Sequence, residues 1–217
     1  REKLIDSSRA PYLLAEDYDA NLTLMEQTLH EVGASTTSLN VIHPLHRLVQ
    51  VFGFHLASLD IRQNSPFHDK ATMQMLEIVG VEDAANYESW SEEKRVDFLL
   101  TELKNERPWR PWKADSESEI GKVMDCFKVL RKHTRKYGEA CFGLYIVSMT
   151  RNVSDLLLVH LLAREGHMAD WKNGMWVSSI PACPLFETGD DLDRGGEIVR
   201  AYFATAAKGQ YITSDGG

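Results

Sequence analysis

The apolar positions of the chain recur mostly at helical spacing, and a few short continuous apolar runs interrupt them. Leu22, Met25, Leu29 and Val32 fall on one face of a helix that Gly33 stops. Val41, Ile42, Leu45, Leu48 and Val49 repeat the pattern, with Pro44 in the first turn, where its missing N–H has no helical partner to lose. Phe54 to Ile61 is short, largely apolar and bounded by Gly53 and polar residues, which predicts a buried strand. Ser65-Pro66 predicts a helix start, a hydroxyl N-cap followed by proline, and that helix runs to Val79 before Gly80. Ser91 caps a further helix with acids in its first turn, which stops before Pro108. Beyond a proline- and tryptophan-containing loop, Asp115 or Ser116 opens a helix that closes with basic residues and Gly138.

The second half alternates more regularly. "ACFGLYIVSM" (140–149) predicts a second buried strand, and "TRNVSDLLLVHLLAREG" (150–166) a turn and an apolar helix. "MWVSSIPACPLFE" (175–187) predicts a third strand, made irregular by Pro181 and Pro184. A helix over 190–209, with a weak point at Gly195-Gly196, leads to a fourth strand, "QYITSD" (210–215). Strands apolar on both faces and separated by helices predict a parallel β/α architecture. The expected organisation is a helical region over 1–50, then a partial β/α barrel over 51–217 with helices inserted over 80–138.

Composition narrows the function classes. The chain has 217 residues, 43% apolar and 26% charged, which is ordinary for globular protein. Its net charge of −8, without a basic stripe interleaved with aromatics, argues against a nucleic-acid partner. Its apolar runs fall far short of the ~20 residues that span a bilayer, so no membrane partner is expected. Cys126, Cys141 and Cys183 are odd in number and lack a C-x-x-C pair, as expected for reduced thiols of the cytoplasm. The chain begins with Arg1 and stops just after a predicted strand, so a segment of a longer polypeptide is expected.

In parallel β/α folds, chemistry gathers at the C-terminal ends of the strands. Those ends carry Asp60 and Arg62, then Ser148 and Arg151, then Glu187, then Asp215. Carboxylates and guanidiniums would share one mouth, although charged residues also follow strands as caps and loop ion pairs. Asp60 lies on the same side of its strand as Arg62, and either orients the guanidinium or makes a loop contact. Ser148 and Arg151 either line the pocket or serve the loop. His43 and His46 stand at a spacing a metal site can use, but without a third ligand they read as surface or packing residues. His55 and His160 read as core residues. "DRGG" (193–196) lacks the strand and flanking glycines of a phosphate cradle.

Four blocks carry a family resemblance: "FGFHLASLDIRQNSPFHDKA", "YESWSEEKRVDFLLTEL", "YIVSMTRNVSDLLLVHLLAREG" and "PACPLFETGDDLDRG". In this order they resemble consecutive blocks of the phosphoenolpyruvate carboxylases, from Tyr12 to Ile198. The LDIRQ strand end, the SM-x-x-x-x-SDLL turn and the PLFET-x-DDL block are the specific motifs. The resemblance implies a TIM-type β/α barrel embedded in a predominantly helical protein, of which this chain is a central portion. It implies a carboxylating lyase that joins phosphoenolpyruvate and bicarbonate into oxaloacetate and phosphate, through carboxyphosphate and an enolate. It further implies Mg²⁺ or Mn²⁺ held by Glu187 and Asp215, and Arg62 as the catalytic residue on the substrate phosphate or carboxyphosphate. Ser148 and Arg151 would join Arg62 in binding substrate. "YITSD" looks like a shortened form of the family's second metal-ligand strand end, and Gly216-Gly217 departs from the usual continuation. Full-length relatives are expected to be cytoplasmic homo-oligomers serving anaplerotic carbon fixation.

The family's TAHPTE-like segment, FHGRGG-like loop and catalytic lysine are not within these residues, so the segment alone is expected to be catalytically incomplete. Two other readings remain. One is a different phosphoenolpyruvate-using barrel, such as a dikinase-like enzyme. The other is a degenerate homologue acting as a helical binding module, for which the shortened "YITSDGG" is the best support.

Overall fold

The computed structural model describes residues 12–109, 114–172 and 175–209. The predicted fourth strand, with Asp215, lies outside the described residues. The backbone divides into two compact units, one within Arg1–Ser58 and Lys132–Cys141, the other within Leu59–Arg131 and Phe142–Gly217.

The first unit contains α1 (Ala15–Glu31), the short α2 (Ser35–Thr37), a π-helical turn over Ser38–Ile42 and α3 (His43–Phe52). Leu22, Ile42 and Val49 form its core, with Ala15, Tyr18 and Leu29 packed against them. Met25, Val32, Leu45 and Leu48, which helical spacing puts on the inner faces, are exposed. The buried His46 belongs to that core boundary instead. Its Nδ1 lies 3.0 Å from Glu26, which also meets His43, and its Nε2 lies 2.9 Å from Asp19. A histidine whose two ring nitrogens are both bonded can occupy a buried position that the apolar pattern leaves unmarked. Among the described residues no His, Cys, Asp and Glu group of three or more is arranged for a metal ion.

The predicted strand over 54–61 is displaced. The apolar pattern of α3 continues through Phe52, and Gly53 then turns the chain at φ 51°. Leu56 follows at φ 71°, a left-handed value that no extended strand contains. Phe54–Ala57 is therefore a turn, with His55 half-buried inside it rather than in a strand. Extended backbone begins only at β1 (Leu59–Asn64).

The second unit continues with α4 (Ser65–Val79), a 3-10 turn over Ala84–Ser89, α5 (Glu92–Leu103), α6 (Glu119–Tyr137) as far as Arg131, and β2 (Phe142–Ser148). Next come α7 (Val153–Glu165), β3 (Ala169–Lys172), β4 (Met175–Ser178), β5 (Ala182–Pro184) and α8 (Gly189–Gly209). β1, β2 and β5 form a three-stranded parallel sheet in that order. Every residue of α7 from Ser154 to Glu165 is buried, as expected of a helix without a polar face. Its leucines pack with Phe127, Tyr145 and Val147 into the main core, where Tyr145 bonds the buried His68 at 2.9 Å and His160 bonds Tyr202.

The predicted third strand splits in two. Met175–Ser178 pairs antiparallel with Ala169–Lys172, and only Ala182–Pro184 joins the parallel sheet. Asn173-Gly174, a strong two-residue hairpin signal, lies between the antiparallel partners. Trp171 and Trp176 face each other in this hairpin, centroids 5.5 Å apart, edge to face. Mixed α/β architecture dominated by helix is thus observed, with an open parallel sheet and no closed barrel among the described residues.

Candidate active site

Parallel register brings the ends of the three strands together. Arg62 stands beside Ile146 and Asn64 beside Ser148, while Val147 stands beside Pro184 on the other flank. The chain leaves β5 through Leu185 and Phe186 to Glu187, whose position is set by the start of α8. There Thr188 and Asp191 cap each other. The Asp191 N–H donates to Thr188 Oγ1 at 3.1 Å, and the Thr188 N–H donates to the Asp191 carboxylate at 3.2 Å. These bonds hold the Asp191 carboxyl below its ordinary pKa, the Thr188 hydrogen bond being the largest cause. Gly195, one of the pair expected to weaken α8, lies inside an unbroken helix. A Cβ there would come within 2.9 Å of the Phe186 ring, so the glycine makes room for the residue beside Glu187.

Three predicted residues meet at this rim. Arg62 donates from Nε to Ser148 Oγ at 2.6 Å and from Nη2 to Glu187 Oε1. They are separated by 86 and 125 positions along the chain. Ser148 is buried, whereas the Arg62 side chain is 59% exposed, so its guanidinium is anchored at Nε and faces outward.

The turn that carries Ser148 is clamped from several sides. Met149 takes φ 56°, a left-handed value that costs a non-glycine residue about 1–3 kcal/mol. Thr150 Oγ1 donates to the Val147 carbonyl at 2.7 Å, and Arg194 of α8 donates to the Arg151 carbonyl and to Asn152 Oδ1. The Ser65 hydroxyl donates to the Met149 carbonyl at 2.6 Å. Ser65, predicted as the N-cap of α4, does not fill that position. Asn64 has that role, its side-chain oxygen accepting the Phe67 N–H at 2.8 Å, and Ser65 is the first helical residue.

The remaining predictions are placed differently. The Arg151 guanidinium is bonded to Asp155 at 2.7 Å and to Asp69 at 2.8 Å, and Asp69 also pairs with the buried Arg95. Desolvation opposes its charge, but Asp155 and then Asp69 raise its pKa above the ordinary arginine value. Asp60 accepts the Leu144 N–H at 2.7 Å, beside a register shift between Leu59 and Ile61. Its observed bond is to the backbone of strand β2, neither a loop contact nor one with Arg62. Sequence reasoning missed Ser65, Asp69 and Asp155. The SDLL motif did contain Asp155, and its place at the third position of a helix marks it as half of a capping box, which it forms with Asn152.

Glu187 offers a hard carboxylate oxygen of the kind Mg²⁺ and Mn²⁺ take, and magnesium sites often use one or two carboxylates with substrate oxygens and water. Among the described residues it is the rim's single carboxylate in contact with Arg62.

The ends of adjacent parallel strands in an α/β segment thus gather a guanidinium, a hydroxyl and a carboxylate. A sequence model described as phosphoenolpyruvate carboxylase matches residues 2–217. Phosphoenolpyruvate carboxylase of Thermosynechococcus vestitus is 33% identical over 204 residues, covering 94% of this chain and 20% of the relative. The Aliivibrio salmonicida enzyme of the same name is 33% identical over 178 residues, covering 82% and 19%. That of Mycobacterium avium is 31% identical over 197 residues, covering 91% and 21%. The chain belongs to the phosphoenolpyruvate carboxylase family and spans about a fifth of the length of these relatives.

Proposed function

We propose that the polypeptide carrying this segment carboxylates phosphoenolpyruvate with bicarbonate, yielding oxaloacetate and phosphate, and that the segment supplies part of the active-site rim. The observation that carries this reading is the convergence of Arg62, Ser148 and Glu187 at the ends of adjacent parallel strands. The β1–β2–β5 order, with helices in the connections, supports a portion of a TIM-type barrel. The free cysteines fit a cytoplasmic setting, and no helix among the described residues is long and apolar enough to cross a membrane.

The reaction moves the phosphoryl group from the enol oxygen to a bicarbonate oxygen, leaving an enolate and carboxyphosphate. The carboxyphosphate carbon then bonds to the enolate carbon, and phosphate departs. Negative charge builds on oxygens throughout, which calls for cations fixed in advance. Arg62 provides one. With Nε on Ser148 and Nη2 on Glu187 Oε1, its side chain is still largely exposed, which supports access for a substrate oxyanion as Glu187 turns to the metal. A planar guanidinium can hold two phosphate oxygens at once. Glu187 and Asp215 would hold Mg²⁺ or Mn²⁺, which when bound supplies Lewis-acid stabilisation to the enolate oxygen.

The test is steady-state kinetics of the full-length protein, following oxaloacetate formation that depends on both substrates. Arg62→Gln and Glu187→Gln should each lower kcat at least about 100-fold while the protein remains folded. Near-wild-type turnover in Arg62→Gln sinks the assignment.

A further inference from the structure

We infer that Ser65 is a positioning residue: its hydroxyl sets the Ser148–Met149 turn and, through Ser148, the aim of the Arg62 guanidinium. This rests on the carboxylase reading of the rim. Ser65 is buried at the junction of β1 and α4, three residues after Arg62. Because Asn64 already caps α4, the Ser65 hydroxyl is not needed by the helix and donates instead across the strand boundary to the Met149 carbonyl. That carbonyl belongs to a residue in the left-handed region, where an L side chain is strained and the peptide has an incentive to relax. Ser148, immediately before it, offers the oxygen that accepts Arg62 Nε at 2.6 Å.

A closed circuit results. The chain runs from Arg62 through Asn64 to Ser65, across a hydrogen bond to Met149, back one residue to Ser148, and across a second hydrogen bond to Arg62. Both bonds join the same two chain segments 84 and 86 positions apart in sequence, so each fixes the register in which the other forms. Thr150 and Arg194 hold the far side of the turn, and the Met149–Thr150 peptide is held at both ends, its carbonyl by Ser65 at 2.6 Å and its N–H by the Leu185 carbonyl at 3.3 Å. Removing this hydroxyl leaves the Met149–Thr150 peptide with the longer 3.3 Å bond to Leu185, so the strained turn can shift and move Ser148 with it. Displacement of about 1 Å at an orienting group is enough to cost on the order of 100-fold in rate.

The experiment uses the full-length enzyme with Ser65→Ala, Ser148→Ala, the double variant and Arg62→Gln, read by kinetics and by hydrogen–deuterium exchange. Ser65→Ala should raise exchange across residues 147–152 and lower kcat by up to about 10-fold, no more than Ser148→Ala does, with KM changed less than about 3-fold. The double variant should lose no more than the weaker of its parents, because both substitutions act through one contact. Unchanged exchange in 147–152 overturns the inference. So does raised exchange with wild-type kcat when Arg62→Gln has abolished turnover, or losses that multiply in the double variant. If Arg62→Gln itself keeps full turnover, the carboxylase assignment of the rim fails, and exchange alone then decides whether Ser65 holds the turn.

Discussion

Arg62 is bonded at Nε by Ser148 and at Nη2 by Glu187 while its side chain stays largely exposed, and this arrangement decides what substitution should do. Ser148→Ala removes the Nε bond without touching the charge, so kcat/KM for phosphoenolpyruvate should fall about 10-fold, in line with a hydrogen bond to a charged group. Arg62→Lys keeps the charge and loses the planar fork, and steady-state kinetics should place it close to Arg62→Gln rather than to wild type. Asp69 is a different case. It sits between Arg95 and Arg151 with its side chain 3% exposed, and breaking such a group leaves two guanidiniums short of a partner. Asp69→Ala should destabilise the fold by roughly 3 kcal/mol, visible as a lower unfolding midpoint. Arg62 and Glu187 stood out in the sequence because they end predicted strands and fall in the LDIRQ and PLFET motifs of the family resemblance. Asp69 did not, since its partners lie 26 and 82 positions away and only packing brings them together.

At the scale of elements, helices were read well wherever caps and apolar spacing agreed, as in α5 after Ser91 and α7 before Gly166. The strands were read less well. Phe54–Leu56 have the composition of a strand, yet Gly53 and Leu56 turn the chain through left-handed conformations that composition does not reveal. The run 175–187 has a single apolar character but two pairings, and the Asn-Gly signal ahead of it was the clue that separates them. The start of α8 offers a test at this scale. Thr188→Val removes the side-chain half of its cap that accepts the Asp191 N–H, and should cost about 1 kcal/mol. Gly195→Ala should do more to activity than to stability, because the added methyl meets the Phe186 ring and displaces the neighbouring Glu187. Comparing kcat with the unfolding midpoint in both variants separates the two effects.

For the molecule as a whole, two histidines link the core to pH. His68 and His160 are buried, and burial draws both pKa values from 6.5 down to about 4, with Asp155 opposing the shift at His68. The folded chain keeps these rings neutral, whereas the unfolded chain exposes them and protonates them below about pH 6.5. Unfolding therefore takes up protons. Their contribution is fully present above pH 6.5 and is lost as pH falls towards 4, by roughly 3 kcal/mol per ring at that limit. Melting temperatures measured between pH 7 and pH 5 should decline, and His68→Gln, which retains an amide donor towards Tyr145, should flatten that decline.

The hairpin of β3 and β4 also provides an optical handle. Trp171 and Trp176 hold their rings 5.5 Å apart and inclined at 66°, so their transition dipoles are close and non-parallel. Coupled in this way, the two indoles should produce a paired positive and negative band in the far-ultraviolet circular dichroism spectrum. Replacing either ring with phenylalanine should erase that doublet, and its amplitude follows the pairing of one small element inside an otherwise helical signal.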